Sequence, residues 1–320
     1  MEKFYDYKRD GVTQSLLQSF LRCRQEADWN LKGYTPLYIS PSFTYGTIVH
    51  GVLEKIYEGI MKKEVKFKPT SKVISKYTKV IENQWLKENP RVGKPMLESL
   101  QLSLALSEKT LPVYFDYWWE EDFKSITWRA LEHQFKIPYV TKDGRKTFIR
   151  GKRDGDSGEK YLKLFETKTK SQINVDDLIL TLWFEFQVRL YLWAMKKEYK
   201  QIPSGVTYNI IRKTQIYKYK DESINAYADR VTEDVIKRPD HYFIRLEISV
   251  TPREILEFEK ELEGIIVDFM NWQDGKLVTY KNSGQCINKY GTCPFLQLCS
   301  QQNFSLYTKR KSVFKELNDL

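Results

Sequence analysis

The sequence has no long apolar run, no apolar leader and little cysteine. No stretch of about eighteen consecutive apolar residues occurs in the 320-residue chain, so no membrane span is predicted. The chain begins Met-Glu-Lys-Phe-Tyr-Asp-Tyr-Lys, with charges where a signal peptide is apolar. The four cysteines would remain reduced in the cytosol, so structural disulfides are not expected. These absences make a cytoplasmic protein the default expectation.

The composition favours a folded chain that is attracted to polyanions. Hydrophobic residues make up 41% of the sequence and aromatic residues 14%, which is enough for a packed core in one large domain or two. The net charge of +10 favours nucleic acid or an anionic membrane surface as a partner. Solubility alone also explains a positive charge, so the partner has to be inferred from motifs.

The most informative stretch spans residues 148–191, where polar clusters lie in hydrophobic surroundings. Glu166 and Lys168 are two apart in a strand-like run, so both project from the same face. Asp154 lies in the preceding strand-like segment, and turn-forming residues separate the two segments. The midpoint between Asp154 and Glu166 is close to that turn. A hairpin there would place the two carboxylates opposite each other.

Two carboxylates this close repel each other unless a positive charge lies between them. A divalent cation suits the position because it is hard and binds oxygen ligands. Lys168, beside such a cation, could orient and activate a water molecule. The pattern therefore predicts a metal site between two strands.

A histidine upstream and two polar residues downstream flank this stretch. Gly46, His50 and Glu54 are spaced four apart and share one stripe of a helix expected over residues 42–62. A lone histidine there is more often a core or boundary residue, but the downstream carboxylates favour a metal ligand. Gln187 and Tyr191 also share a helix face. They either mark an ordinary helix boundary, or contact a phosphate or hold the catalytic strand in register.

Taken in order, these motifs resemble the PD-(D/E)XK nuclease superfamily. Asp154 followed by Glu166-Thr167-Lys168 is similar to its D…(D/E)xK core. Gln187 and Tyr191 are similar to the Q-x-x-x-Y motif of its RecB/AddB-like branch, which also uses a histidine on an upstream helix. The resemblance implies an α/β fold with a mixed central β-sheet flanked by helices, in a restriction-endonuclease-like core.

The resemblance also implies roles for individual residues. His50, Asp154, Glu166 and the backbone carbonyl of Thr167 would hold one or two Mg²⁺ or Mn²⁺ ions, and Lys168 would orient the attacking water. Residues that would position the DNA strand through its phosphates are Lys152, Arg153, Gln187 and Tyr191.

A glutamate on the first strand of the family's core often lies near the metal. Glu132 matches it by position, and an exposed strand glutamate is the alternative.

Four parts are predicted along the chain. They are N-terminal helices with the first cluster cysteine and the motif histidine over residues 1–62, a helical insertion over 63–122, the nuclease core over 123–275, and a C-terminal cysteine segment with a tail over 276–320. Further helices are expected over residues 14–29, 175–197 and 252–273, and strands over 126–140, 206–212 and 242–250. Residues 213–220 alternate lysine with tyrosine, which fits either a basic, aromatic rim for nucleic acid or an exposed edge strand guarded by lysines.

Three of the four cysteines lie close together near the C-terminus. Cys286, Cys293 and Cys299, with Cys23, would form a four-thiolate site that joins the two ends of the chain. This arrangement resembles the iron–sulfur branch of the superfamily, which includes AddB-type subunits and CRISPR-adaptation nucleases and carries a [4Fe-4S] cluster. The spacing between Cys286 and Cys293 is longer than is usual there. Zinc suits the same ligands, and a site without metal is the third alternative.

These features predict a metal-dependent DNA nuclease, an exonuclease by resemblance, that acts on single-stranded or end-bearing duplex DNA in processing or recombination. The resemblance suggests a bacterial or phage-encoded protein. The sequence lacks the helicase phosphate loop G-x-x-x-x-G-K-[ST], so unwinding would need a helicase or recombination partner. The rival hypotheses are a catalytically silent nucleic-acid-binding or scaffold subunit and a metal-stapled basic adaptor.

Overall fold

The described part of the protein is built around a central β-sheet. A computed structural model describes residues 4–37, 44–89, 93–288, 291–314 and 317. The strands are β1 (Val12–Thr13), β2 (Tyr34–Pro36), β3 (Trp128–Val140), β4 (Lys146–Ser157), β5 (Lys163–Lys170), β6 (Gly205–Arg212), β7 (Phe243–Ser249), β8 (Ile287–Asn288), β9 (Gly291–Thr292) and β10 (Tyr307–Lys309). The helices are α1 (Tyr7–Asp10), α2 (Gln14–Arg22), α3 (Arg24–Leu31), α4 (Thr44–Met61), α5 (Ser71–Glu88), α6 (Lys94–Glu120), α7 (Val175–Leu182), α8 (Phe186–Tyr199), α9 (Ile224–Lys237), α10 (Pro239–Tyr242), α11 (Pro252–Gln273) and α12 (Leu296–Gln301).

The central sheet is mixed, as predicted. Its order is β1-β4-β5-β6-β7, and β3 pairs with the other edge of β4. Strand β4 runs antiparallel to both β3 and β5, and the crossover through α7 and α8 makes β5 and β6 parallel. Strand β7 returns antiparallel to β6.

The β3–β4 hairpin turns where the sequence indicated. Asp143-Gly144 lies between the two strands, and Gly144 has φ of +84°, which suits glycine. The Thr141 N–H donates to the Arg145 carbonyl at 2.9 Å and closes the turn. This hairpin fixes the register of β4, the strand that carries Asp154.

Helix α11 begins and ends as predicted. The Thr251 side chain accepts from the Glu254 N–H, the Glu254 carboxylate accepts from the Thr251 N–H, and Pro252 occupies the first turn. This capping box satisfies backbone donors that a helix start otherwise leaves unpaired.

Helices cover both faces of the sheet. Helices α2, α8 and α11 pack on one face around the buried residues Phe20, Trp193 and Phe258. Helices α4, α5, α6 and α9 pack on the other face around Ile56 and Phe115. The structure is therefore α/β with a mixed central sheet between helical layers.

The first and last parts of the described chain pair with each other. Strand β2 is antiparallel to β10, with Thr35 opposite Thr308. Strand β1 runs parallel to β4, with Val12 opposite Ile149. The N-terminal segment is thus held by strands that lie much later in the sequence.

Several predicted elements differ in detail. The helix expected over residues 14–29 is broken at Cys23, which is extended and separates α2 from α3. The helix expected over residues 175–197 is interrupted before α8, where Glu185 is extended. Residues 213–220 form no strand, so the edge-strand interpretation of that segment is wrong. Ser42 and Phe43, expected to open α4, lie outside the described residues.

Within the described ranges, no single helix is both long and apolar enough to cross a bilayer. Helices α7 and α8 would reach that length only together, and they are bent by 43° where they meet.

Candidate active site

Strands β4 and β5 pair briefly and then separate. Their register places Gly155 opposite Phe165, so Asp154 and Glu166 come next on the two strands, as the turn position predicted. Instead of the ladder continuing, the Asp154 carboxylate accepts a hydrogen bond from the Thr167 N–H at 2.8 Å. This bond holds the Asp154 side chain in the gap between the diverging strands.

Glu166, Lys168 and Gln187 form a closed group of hydrogen bonds. The Lys168 ammonium donates to Glu166 Oε1 at 2.6 Å and to Gln187 Oε1 at 2.9 Å. The Gln187 amide donates to Glu166 Oε1 at 2.9 Å. Glu166 and Lys168 therefore share a face of β5, and Gln187 on α8 fixes both.

The second Glu166 oxygen is left without a donor. The side chain is 1% exposed, and no described group hydrogen-bonds to Oε2. Burial, followed by the charge of Asp154, raises the pKa of Glu166 to about 8. An enclosed carboxylate of this kind is stabilised by a cation at its free oxygen.

Lys168 is held in its charged form. Burial acts to lower the pKa of Lys168, but the charges of Glu166 and Asp154 outweigh burial and raise it. A protonated lysine suits a role in balancing phosphate charge, and does not suit proton abstraction.

His50 reaches the group from helix α4. Its Nδ1 lies 3.7 Å from Asp154 Oδ2, and about a third of its side chain is exposed. Burial lowers the pKa of His50, so the ring favours the neutral form that binds metals. A β-carbon on Gly46 would lie 2.9 Å from Thr169 Oγ1, so the glycine lets α4 approach β5.

Glu132 lies beside this group and is not an exposed strand residue. Its side chain is 16% exposed and forms an ion pair with Lys152. Burial, and then the Asp154 charge, raises the pKa of Glu132 to about 7. Its φ of +46° is unusual for a residue with a β-carbon and costs on the order of 1 kcal/mol. The exposed alternative for Glu132 is therefore wrong.

Arg153 faces the interior, contrary to prediction. Its guanidinium donates to both Asp156 oxygens at 2.7 and 2.6 Å and pairs with Glu198 at 2.7 Å. The side chain is fully buried. A DNA contact by Arg153 is therefore wrong, because the side chain has no surface to offer. Arg153 instead ties β4 to the end of α8.

Tyr191 is also buried. Its ring packs edge-on against Phe135, with centroids 5.9 Å apart, and a β-carbon on Gly151 would meet it at 3.3 Å. It thus braces β3 and β4 from α8, whereas Gln187 points to the carboxylate. Lys152, one-third exposed, remains at the edge of the site.

Sequence reasoning missed a polar chain behind Thr167. Asn209 donates to Thr167 Oγ1 at 3.3 Å and accepts from Arg245 at 3.2 Å. Arg245 also pairs with the buried Asp122 at 2.6 Å. Asn209 and Arg245 are polar residues inside the mainly apolar strands β6 and β7, and this pattern could have indicated the buried polar chain.

A model of the PD-(D/E)XK nuclease superfamily matches residues 12–300 of the chain. The chain belongs to the PD-(D/E)XK nuclease superfamily. Comparison with curated proteins finds no match. The superfamily match spans the elements that carry His50, Asp154, Glu166-Thr167-Lys168 and Gln187.

Two solved structures are similar to this superfamily member. The crystal structure of the protein SSO0001 is 11% identical, covers 73% of this chain and 78% of its own, and has a TM-score of 0.28. A candidate exonuclease from Eubacterium rectale is 12% identical, covers 76% of this chain and 87% of its own, and has a TM-score of 0.37. Both scores are low, so the family assignment rests on the match over residues 12–300.

The donors present suit the metal ions that PD-(D/E)XK nucleases typically use. Two carboxylates and an imidazole converge, and Glu166 has a buried oxygen that no described donor reaches. In the described part of the chain, no three His, Cys, Asp or Glu side chains are already arranged as ligands of one ion. The chemistry of the donors fits, although their arrangement is not that of a loaded site.

None of the four cysteines, all of which lie in the described part of the chain, forms a disulfide. Burial raises the pKa of Cys293 to about 11, and the Cys299 and Cys286 thiols add to it. Burial also raises the pKa of Cys299, and the Cys23 and Cys286 thiols add to that effect. Cys299 Sγ accepts from the Trp29 indole at 3.1 Å, and Cys23 Sγ accepts from the Asn282 N–H at 3.4 Å. The break at Cys23 turns its thiol toward the C-terminal segment.

Proposed function

We propose that the chain is a metal-dependent DNA nuclease that hydrolyses phosphodiester bonds, acting as an exonuclease of the RecB/AddB-like branch. The convergence of Asp154, Glu166 and Lys168, with one buried Glu166 oxygen left without a donor, carries this proposal. His50, Asp154, Glu166 and the Thr167 carbonyl would hold Mg²⁺ or Mn²⁺. When bound, the ion supplies charge stabilisation and a water of lowered pKa.

The protein's own residues would prepare the site for that chemistry. The Thr167 N–H holds Asp154, so its carboxylate is oriented before substrate arrives. Lys168 keeps its proton and would orient the water and offset phosphate charge. Gln187 holds Lys168 and Glu166 together, and Tyr191 braces the strand that carries Asp154.

The substrate we propose is DNA, either single-stranded or a duplex with an end. The net charge of +10 favours a polyanion, and Lys152 lies at the edge of the site. Contacts to phosphates carry no base information, so we expect weak sequence preference and strong salt dependence. Because no phosphate loop is present in the sequence, any unwinding would come from a helicase or recombination partner.

The test is cleavage of end-labelled linear and circular DNA with Mg²⁺ or Mn²⁺. Lys168→Ala and Asp154→Asn should each reduce the rate at least about a hundredfold while the protein stays folded. Lys163→Ala is the matched control, since Lys163 lies on the same strand but pairs with Glu247 at the surface. Full activity in the Lys168 variant would remove the assignment. Binding by the wild type without cleavage at any metal concentration would favour a silent scaffold subunit.

We further propose that Cys23, Cys286, Cys293 and Cys299 hold a [4Fe-4S] cluster, with zinc as the competing ion. Two observations support this. The thiols interact electrostatically, as Cys293 does with Cys286 and Cys299, and Cys299 does with Cys23. The Trp29 and Asn282 N–H groups also donate hydrogen bonds to the Cys299 and Cys23 sulfurs. Such a site would join α2 and α3 to the C-terminal segment.

A further inference from the structure

A cavity of about 360 Å³ lies at the carboxyl ends of the parallel strands β5 and β6. Ser171, directly after β5, and the end of β6 form one wall, while α6 and α9 form the others. In open α/β sheets, ligands bind outside the carboxyl ends of parallel strands. The cavity is at the small end of the range for ligand pockets, roughly 300–1,000 Å³, which suits a single small ring system.

The lining of the cavity is mainly apolar and aromatic. Leu106, Val231 and Phe243 are buried, and tyrosines at positions 45, 227 and 242 contribute ring surface. The tyrosine hydroxyls have partners: that of Tyr227, for example, donates to the Ile216 carbonyl at 2.7 Å. Flat apolar surface selects a ring by shape and stacking more than by hydrogen bonds.

Two cationic residues contribute to the wall beside this apolar surface. Arg212 is the last residue of β6, and its Nε donates to the His241 carbonyl at 2.8 Å. Lys213 follows, with its N–H held by the Lys170 carbonyl at 2.8 Å. Burial lowers the pKa of the Lys213 ammonium, which an adjacent anion would reverse. A ligand that joins an apolar ring to an anionic group matches this combination.

The cavity is close to the candidate active site along the same strand. Ser171 is three residues beyond Lys168, which corresponds to about 10 Å of extended chain. On the far side, residues 213–220 form a loop in which Tyr217 is 88% exposed, with Lys218 next to it. Lys168 faces α8 and the cavity lies on the side of α6 and α9, so a DNA strand would reach the cavity by passing around the carboxyl end of β5.

We propose that this cavity receives one base of the DNA strand, while Arg212 and Lys213 meet the adjoining phosphate. The proposal rests on the proposed function, since it takes its ligand from the substrate of that site. Helices α6 and α9 would then help to bind the DNA strand within a few nucleotides of the scissile phosphate. The apolar lining makes this contact tolerant of base identity.

The test compares two ligands of equal length and charge: a short oligothymidylate and an abasic deoxyribose-phosphate oligomer. Binding is measured without divalent metal and at fixed salt, so the phosphate contribution is the same for both. Wild type should prefer the oligomer with bases about tenfold, which equals about 1.4 kcal/mol. Leu106→Trp, which fills the cavity, should lose most of this preference and keep its affinity for the abasic oligomer.

Leu256→Trp is the matched control, because Leu256 is half exposed on α11, away from the cavity. It should bind both oligomers as wild type does. Equal wild-type affinity for the two oligomers overturns the proposal, as does a folded Leu106→Trp protein with full preference. If Leu106→Trp does not fold, Ser103→Leu fills the same space more gently.

A measurement on the wild type needs no variant. Photocrosslinking with an oligonucleotide that carries 5-iodouracil should attach it to Tyr45, Tyr227 or Tyr242, identified by mass spectrometry. Crosslinks that avoid the cavity altogether overturn the proposal. Neither experiment requires cleavage. A protein that binds bases in the cavity but does not cleave DNA would contradict the proposed nuclease activity and still support base binding.

Discussion

The Asp154 carboxylate accepts the Thr167 N–H across a gap that a β-ladder would otherwise fill. The two strands pair only up to Gly155 and Phe165, so the backbone donor of Thr167 is left to the side chain. A carboxylate held by the backbone loses little freedom when it acts. The separation of the strands is therefore what makes room for a site.

Gln187→Leu should slow DNA cleavage about tenfold to a hundredfold without unfolding the protein. Leucine keeps the volume but removes the hydrogen bonds to Lys168 and Glu166, so both side chains lose their fixed positions. Single-turnover cleavage rates measure the effect. Gln201→Leu serves as control, because the Gln201 amide donates to the Lys160 carbonyl at an exposed site. A rate equal to that of wild type would show that the bond between Lys168 and Glu166 is enough to position both side chains without Gln187.

The metal-free protein should lose stability as pH rises. Burial raises the pKa of Glu166 from 4.5 to about 8, so the folded state binds a proton that the unfolded chain releases. Stability is then fully present below pH 4.5 and falls toward pH 8. The full shift from 4.5 to about 8 corresponds to a loss of roughly 5 kcal/mol, since each pKa unit is about 1.4 kcal/mol.

Urea unfolding across this pH window, with chelator, measures that slope. Glu166→Gln should flatten it in part, and Glu132, whose pKa is raised to about 7, contributes the remainder. Mg²⁺ should restore stability at the upper end of the window. An unchanged slope in Glu166→Gln would place the titration elsewhere.

Arg153→Met should destabilise the fold by about 3–5 kcal/mol, because it leaves the buried Asp156 carboxylate without its cation. Thermal or urea unfolding measures the loss. Arg145→Met is the contrasting variant, since Arg145 pairs with the half-exposed Asp143 at the surface and should cost under about 1 kcal/mol. DNA affinity of the folded Arg153 variant should equal that of wild type. A selective loss of affinity with unchanged stability would restore a DNA-binding role.

Cys23→Ser should abolish a brown colour and absorbance at about 400 nm that the aerobically purified wild type is expected to show. It should also lower the melting temperature, because α2 and α3 would no longer be joined to the C-terminal segment. Iron and zinc analysis of the wild type distinguishes the two metals. A colourless, zinc-containing wild type would assign the thiols to zinc.

Local chemistry made much of the fold and site predictable. The turn after Asp156 set the hairpin register, and the Thr251 cap with Pro252 set the start of α11. The spacing of two residues placed Lys168 beside Glu166, and the resemblance to the family's motifs suggested that Gln187 lies near the catalytic strand. These features depend on residues that are close in sequence or on one repeating period.

Features that depend on distant residues were not predictable. Arg153 sits in a basic run that looks exposed, and only the packing of Glu198 on α8 against β4 shows that it is enclosed. The break at Cys23 interrupts a continuous helical pattern, and the Cys23 thiol there accepts from the N–H of Asn282, more than 250 residues away. Helix periodicity contains no information about such partners. The four-part division of the chain stays a prediction.

The pairing of β2 with β10 has a consequence for how the protein is made. During translation, residues 34–36 leave the ribosome long before their partners at 307–309 are synthesised. Helix α2 likewise waits for α8 and α11, against which its apolar face packs. Most chains can fold from the N-terminus as they emerge. In this protein the first helices cannot complete their packing until α11 and residues 307–309 have been synthesised.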